Sequence, residues 1–343
     1  MKLLFTGKSK LDYNRVKVIK AGLKQLSGVE VIELKLKKGS RTNRKQLKEL
    51  NEKVDCIYIP PMRHSDVSYV KRYTTKPVVF DPLISKYLTK ADYGHFWKLP
   101  FKYFLDKIPF KKADILLTDT NAHRDYFINK FNLKSDKVKT LYIGADTQVF
   151  FKQKKINEYK GKFIVGFYGS FIPLQGTDKI VRAAQCLKDH LDIQYVMIGS
   201  GRTLKNAQQI AEKEKLNNIN FHGKVKYEEL SPLINTFDIC LGIFGDSRKS
   251  DMVIPNKVYH YAALGKCILT KDTYGIKEIF TKDEDICLTS NDPQAIANNI
   301  IKLKENEHIR ARSGDKVGEL LRSKYNEIEV AKRFKNILET IIR

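Results

Sequence analysis

The chain has 343 residues, 42% hydrophobic and 30% charged, a size that favours two domains of ordinary dimensions. No run of about 18 apolar residues occurs, so no transmembrane helix is expected, and the opening MKLLFTG suits a buried strand better than a signal peptide. The net charge is +24, and residues 1–150 hold 31 Lys and Arg against 15 Asp and Glu, two thirds of the excess. Such a field favours an anionic partner (nucleic acid, a phosphate-bearing substrate or an acidic membrane surface) unless it reflects only a lysine-rich proteome.

In chain order, the first half alternates apolar runs with helical patterns. KLLFTG, VEVIELKL, VDCIYIP, PVVFDPL, ADILLTDT and VKTLYIG read as strands, with helices such as DYNRVKVIKAGLKQL and TNAHRDYFINKF between them. Strands that are apolar on both faces and separated by helices argue for a parallel sheet covered on both sides. Residues 93–112, YGHFWKLPFKYFLDKIPFKK, hold the single tryptophan, Trp97, among further aromatics and lysines that include Lys98 and Lys102. That mixture suits a segment lying on an anionic bilayer; the alternative is a core helix broken by Pro100 and Pro109.

After Phe150 the polar stretch FKQKKINEYKGK reads as a linker, and the alternation restarts. FIVGFYGS, IQYVMIGSG, INFHGKV, DICLGIF and EDICLTS read as strands, QGTDKIVRAAQCLKDH, TLKNAQQIAEKEKL and YEELSPLINTF as helices, and NEIEVAKRFKNILETIIR as a final amphipathic helix. The expected architecture is α/β, two doubly wound domains whose ligand site lies in a cleft at the carboxyl ends of their strands. Cys56, Cys186, Cys240, Cys267 and Cys287 form no C-x-x-C pair and sit mostly in apolar runs. They read as buried, reduced thiols of a cytosolic protein and argue against zinc.

The strand ends of the second half carry the chemistry. Gly169 and Ser170 follow one strand, with Thr177 as a candidate helix cap, and Gly199, Ser200, Gly201 and Arg202 follow the next. Glycines there either let the backbone approach a phosphate or simply make tight turns. His222, Gly223, Lys224 and Val225 end a third strand. In VIPNKVYHYAALGKCILT, Asn256 is a candidate N-cap and Gly265 a candidate stop, so Lys257 lies where helix N–H groups point. Arg248 and Lys249 lie just upstream, and three cations near one helix start suit an anion.

In this order the motifs resemble those of the GT-B glycosyltransferases, in particular the retaining family 4, also called glycosyl transferases group 1. The residues that carry the resemblance are GFYGSFIPLQG, IGSG, FHGKV and IPNKVYHYAALGKCIL, with YIGADTQVF at the end of the first domain. The resemblance implies two Rossmann-like domains facing across a cleft, with the C-terminal helix crossing back to the first. Residues 1–155 with 326–343 would bind the acceptor, and 156–325 the nucleotide sugar. Gly169 and Ser170 would lie under the diphosphate, Val225 and Lys226 beside the base, and Lys257 against the diphosphate or sugar. His260 stands where the family has a ribose-binding glutamate. The family's first glutamate falls on Met252, beside Asp251, and its usual Arg and Lys are Ser170 and Gln175. Arg202, Arg248 and Lys249 would then supply the missing charge.

The implied function is transfer of a sugar from a nucleoside-diphosphate sugar to a glycan or lipid-linked acceptor, with retention, in surface glycoconjugate synthesis. Lys257, Asp81 and His260 are the catalytic candidates; His64, His123, Trp97, Lys98 and Lys102 are assigned to the acceptor or membrane side. No metal or other cofactor is expected beyond the nucleotide-sugar co-substrate. The expected location is the cytoplasm, with peripheral contact to the inner membrane face. Competing classes are a catalytically inactive GT-B-like partner subunit, an epimerase of the same architecture and a nucleic-acid binder, though no nucleic-acid module is visible.

Overall fold

The computed structural model describes residues 1–40, 42–154, 159 and 161–342. The chain divides into two compact units, Met1–Asp146 with Tyr325–Arg343, and Thr147–Lys324. The linker reading falls partly on residues 155–158 and 160, which lie outside the described residues.

Unit 1 runs β1 Lys2–Gly7, α1 Asn14–Leu23, β2 Glu30–Lys35, α2 Thr42–Asn51, β3 Cys56–Ile59, α3 His64–Lys71, β4 Val78–Phe80, α4 Lys86–Ala91, α5 Leu99–Lys112, β5 Ile115–Thr118, α6 Asn121–Phe131 and β6 Val138–Thr140. The strands form one parallel sheet in the order β2-β1-β3-β4-β5-β6. The apolar runs of β3, β4 and β5 are buried along their whole length, as a sheet covered on both faces requires. Pro109 stays inside α5 and does not end it.

The C-terminal helix, Glu327–Glu339, belongs to unit 1 and packs on α1. Its Phe334 meets Phe5 and Tyr58 edge-on, with centroids 6.3 and 5.5 Å apart. Gly22 allows the close crossing, because a Cβ there would stand 1.9 Å from the backbone oxygen of Glu327. The seam continues in a bond from Ala145 N to Tyr325 O at 3.1 Å.

Unit 2 runs β7 Phe163–Tyr168, α7 Thr177–Cys186, β8 Ile193–Ile198, α8 Leu204–Lys213, β9 Ile219–Gly223, α9 Leu230–Asn235, β10 Ile239–Leu241, α10 Arg248–Met252, α11 Asn256–Ala263, β11 Cys267–Lys271, β12 Cys287–Thr289, α12 Pro293–Glu305 and α13 Glu307–Leu320. Its sheet is again parallel, in the order β12-β11-β10-β7-β8-β9. Two helix starts differ from the sequence reading by one residue. Pro255, extended at φ −71° and ψ 147°, is the N-cap of α11, so Asn256 is its first helical residue. Gly176, at φ +63°, precedes α7 in the place given to Thr177. Gly265, at φ +63°, follows α11 and suits its role as the stop. Four cysteines are buried; Cys186, on α7, is exposed.

Gly22→Val is expected to destabilise the protein by about 1–3 kcal/mol through overpacking against the C-terminal helix, read as a lower denaturation midpoint.

Candidate functional site

In a doubly wound sheet, the crevice forms where neighbouring strands send their connections in opposite directions. In unit 2, β7 leads to β8 on one side and β10 leads to β11 on the other, so the crevice lies between the carboxyl ends of β7 and β10. Lys257, in the first turn of α11, is buried there. Its Nζ donates to the carbonyl of Gly242, just past β10, at 3.1 Å. The same nitrogen lies 3.5 Å from the ring centroid of Phe167 on β7. Burial holds this amine well below the usual lysine range.

Only glycine fits above it. Gly169 has φ +155°, and a Cβ there would come within 3.2 Å of Lys257 Nζ. Gly199, at φ +134°, approaches so closely that its Cβ would meet the Gly169 carbonyl oxygen at 1.9 Å. Backbone bonds stitch the turns together: Gly169 N donates to Ile198 O at 2.9 Å, Phe171 N to Ser200 O at 2.9 Å and Gly199 N to Gly223 O at 2.7 Å. A low rim of bare backbone results, with Ser170, Gly201 and Arg202 exposed along it.

Around this rim, Lys226 is exposed after β9, and its N–H donates to Glu229 Oε2 at 2.9 Å; Val225 beside it is half-buried. Arg248 opens α10 and is exposed. Asp251 pairs with Lys271 at 2.8 Å, Met252 is buried, and Gln175 is turned inward. The three cations are therefore not equivalent at the helix start. Arg248 and Lys249 remain on α10, while the Lys257 amine turns inward beneath Gly169.

His260 lies three residues further along α11, buried and stacked on Phe150 with centroids 3.8 Å apart. Its Nδ1 is hydrogen-bonded to the Tyr168 hydroxyl, and its buried Nε2 has no partner. Burial lowers its pKa to about 3, so the imidazole is neutral at physiological pH. Tyr227 meets both Phe150 and His260 edge-on.

Three candidates of unit 1, Asp81, His64 and His123, are buried rather than at the catalytic or acceptor surface expected of them. Asp81 is fully buried, accepting from Arg15 Nε at 2.5 Å and the Tyr58 hydroxyl at 2.9 Å. Burial raises its pKa while the guanidinium pulls the other way. His64 packs edge-on against Phe80 with Nε2 3.2 Å from Asp106 Oδ1, and His123 Nδ1 bonds Asp119 Oδ1 at 2.7 Å. Each follows or faces a buried strand, where a polar side chain must find an internal partner. Trp97, by contrast, is 78% exposed, with Lys98 Nζ 4.2 Å from its ring centroid, and Lys102 lies by Phe101.

Sequence reasoning missed Phe150, Phe167, Tyr168, Tyr227 and the Gly242 carbonyl. They meet only through tertiary packing; the one local signal was an aromatic at the end of a strand, as in FIVGFYGS. Among the described residues, no three or more His, Cys, Asp or Glu side chains are grouped to hold a metal ion. Nor is any helix among them long and apolar enough to cross a membrane.

Residues 148–318 match the family described as glycosyl transferases group 1. Two uncharacterized glycosyltransferases of Methanocaldococcus jannaschii are 26% and 22% identical to the chain, over 72% and 57% of its length. These matches span 64% and 54% of the relatives' own lengths. Anabaena HepE, solved in complex with UDP, has the same fold at a TM-score of 0.77 and 15% identity, covering 99% of this chain and 100% of that one. Sucrose-phosphate synthase from Thermosynechococcus elongatus gives 0.78 at 12% identity, covering 99% and 98%. The chain therefore has the fold of these solved structures, and it resembles the glycosyl transferases group 1 family over residues 148–318.

Asp81→Ala would leave Arg15 as an uncompensated buried charge, at a cost of about 3–5 kcal/mol; a variant as stable as wild type in urea would refute the structural role. His260 gives a pH prediction. The unfolded imidazole takes up a proton near 6.5, the folded one only near 3, so acidification between these values favours unfolding. Chemical denaturation should show wild type losing more stability than His260→Gln between pH 7 and pH 5.

Proposed function

We propose that the protein is a retaining transferase that moves a sugar from a nucleoside-diphosphate sugar to a glycan or lipid-linked acceptor in surface glycoconjugate synthesis. One observation carries the donor half: a glycine rim over the buried Lys257 amine at the β7–β10 crevice, in a glycosyl transferases group 1 domain. HepE has been solved with UDP and with UDP-glucose, which supports uracil as the base to test first.

In this reading the diphosphate lies over Gly169, Ser170, Gly199 and Gly201. Arg202, Arg248 and the first N–H groups of α11, at Asn256 and Lys257, receive its charge. Val225 and Lys226 border the base. The bond between the anomeric carbon and the diphosphate oxygen breaks, and the protein's fixed positive groups stabilise the leaving charge. The acceptor hydroxyl oxygen bonds the same carbon on the same face, and its proton passes to the departing phosphate. The first unit would hold the acceptor, in keeping with its charge excess.

A second reading, a GT-B subunit without activity, is favoured by one observation. His260, which stands where the resemblance puts a ribose-binding glutamate, is buried, stacked on Phe150 and bonded to Tyr168.

A thermal-shift series with UDP, GDP, ADP and UDP-glucose, followed by donor hydrolysis and transfer assays, separates these readings. UDP should raise the melting temperature, and Lys257→Met should fold but lose about a hundredfold in turnover. An anion beside Lys257 raises its depressed pKa, so binding takes up a proton and UDP affinity should fall as pH rises. No shift with any nucleotide would overturn the donor class. Equal UDP affinity in wild type and a Lys257→Met, Arg248→Ala double variant would overturn the site. Binding without hydrolysis or transfer would select the inactive subunit.

A further inference from the structure

Helix α5 and the turn before it present two apolar faces, and unit 1 covers one of them. Pro109 and Phe110 are buried, and Asp106 is locked inside by bonds from Ser85 Oγ and Tyr87 N, both at 2.8 Å. On the other face, Trp97, Phe101, Phe104 and Ile108 recur at spacings of four, three and four residues, one stripe of a helix. They are 78, 65, 56 and 48% exposed. Together with Phe96, they account for five of the eight exposed large hydrophobic residues among those described, so the patch is not the scatter of single side chains that ordinary surfaces carry.

The charge around the stripe has one sign. On a helical wheel Lys98 and Lys102 flank it on one side, Lys107 and Lys111 on the other. The only acid between Tyr93 and Lys112 is Asp106, which is buried. A second copy docked on this face would set lysines against lysines. A nucleic-acid duplex would satisfy the lysines with its phosphates but, with its bases stacked inside, leave the aromatic stripe unmatched.

We propose that this face seats unit 1 on an anionic lipid bilayer, with α5 lying in the plane of the interface. The aromatic and aliphatic side chains enter the boundary between headgroups and acyl chains, and the flanking lysines reach the lipid phosphates. The anchoring of Asp106 to Ser85 and Tyr87 holds the helix so that the stripe stays outward. The inference does not depend on the glycosyl-transfer reading, since the surface binds without donor or acceptor.

Trp97 is the sole tryptophan and lies in the stripe, so its emission reports the contact directly. The full chain is titrated with vesicles of mixed phosphatidylglycerol and phosphatidylcholine at low salt, with co-sedimentation as a second readout. The expected result is a blue shift with binding that weakens as salt rises. Phosphatidylcholine vesicles, a Phe101→Ser, Phe104→Ser variant and a Lys98→Glu, Lys102→Glu variant should each bind about tenfold more weakly or worse, with unchanged melting temperatures for the variants. No blue shift with anionic vesicles, or equal binding by the Phe101→Ser, Phe104→Ser variant, would overturn the proposal. A shift that grows with protein concentration in the absence of lipid, together with a dimer mass in light scattering, would overturn it in favour of self-association.

Discussion

The bond from Lys257 Nζ to the Gly242 carbonyl ties the chemistry of the second unit to its topology. It bridges the crevice that forms because β7 and β10 are neighbours with connections running in opposite directions. A buried amine needs an acceptor, and the carbonyl just past β10 provides one while the Phe167 ring lies against it. Everything above this bond is then constrained. Gly169 must lack a side chain, Gly199 must approach its carbonyl, and the loops after β7 and β8 are drawn into one bare rim.

The first unit meets the same geometric situation and resolves it differently. Its carboxyl edge also carries a charged residue after a buried strand, Asp81 after β4, but that carboxylate is closed off by Arg15 and Tyr58. His64 and His123 are likewise absorbed by Asp106 and Asp119. Polar groups at strand ends are thus of two kinds. Those roofed by side chains with complementary charge become part of the core, whereas one roofed by glycine lies a single backbone layer from the surface.

His260 shows how tertiary packing changes the chemistry of a motif position. A glutamate there would carry charge, whereas this imidazole is held neutral by burial, stacked on Phe150 and bonded to Tyr168. The site therefore sets a neutral imidazole among aromatic rings and a buried amine with a lowered pKa one helical turn apart on α11. Exposed positive charge stays at Arg202, Lys226 and Arg248, on the loops around the rim.

The sequence by itself determined the architecture. Apolar runs with no polar face specify strands buried on both sides, and the helices between them favour parallel pairing, so the two parallel sheets follow largely from local pattern. Gly169, Gly199, Gly201 and Lys257 were also legible, because glycines just past apolar runs and a lysine at a helix start are local features of the chain. Tertiary structure alone decided what those residues touch. The partnering of Asp81 with Arg15, 66 positions away, the roof of Phe150 over His260 and the inward turn of the Lys257 amine depend on contacts between segments remote in sequence. The burial of these polar groups, which sets both pKa and access, is a property of those contacts and is not readable from the residues beside each one in the sequence.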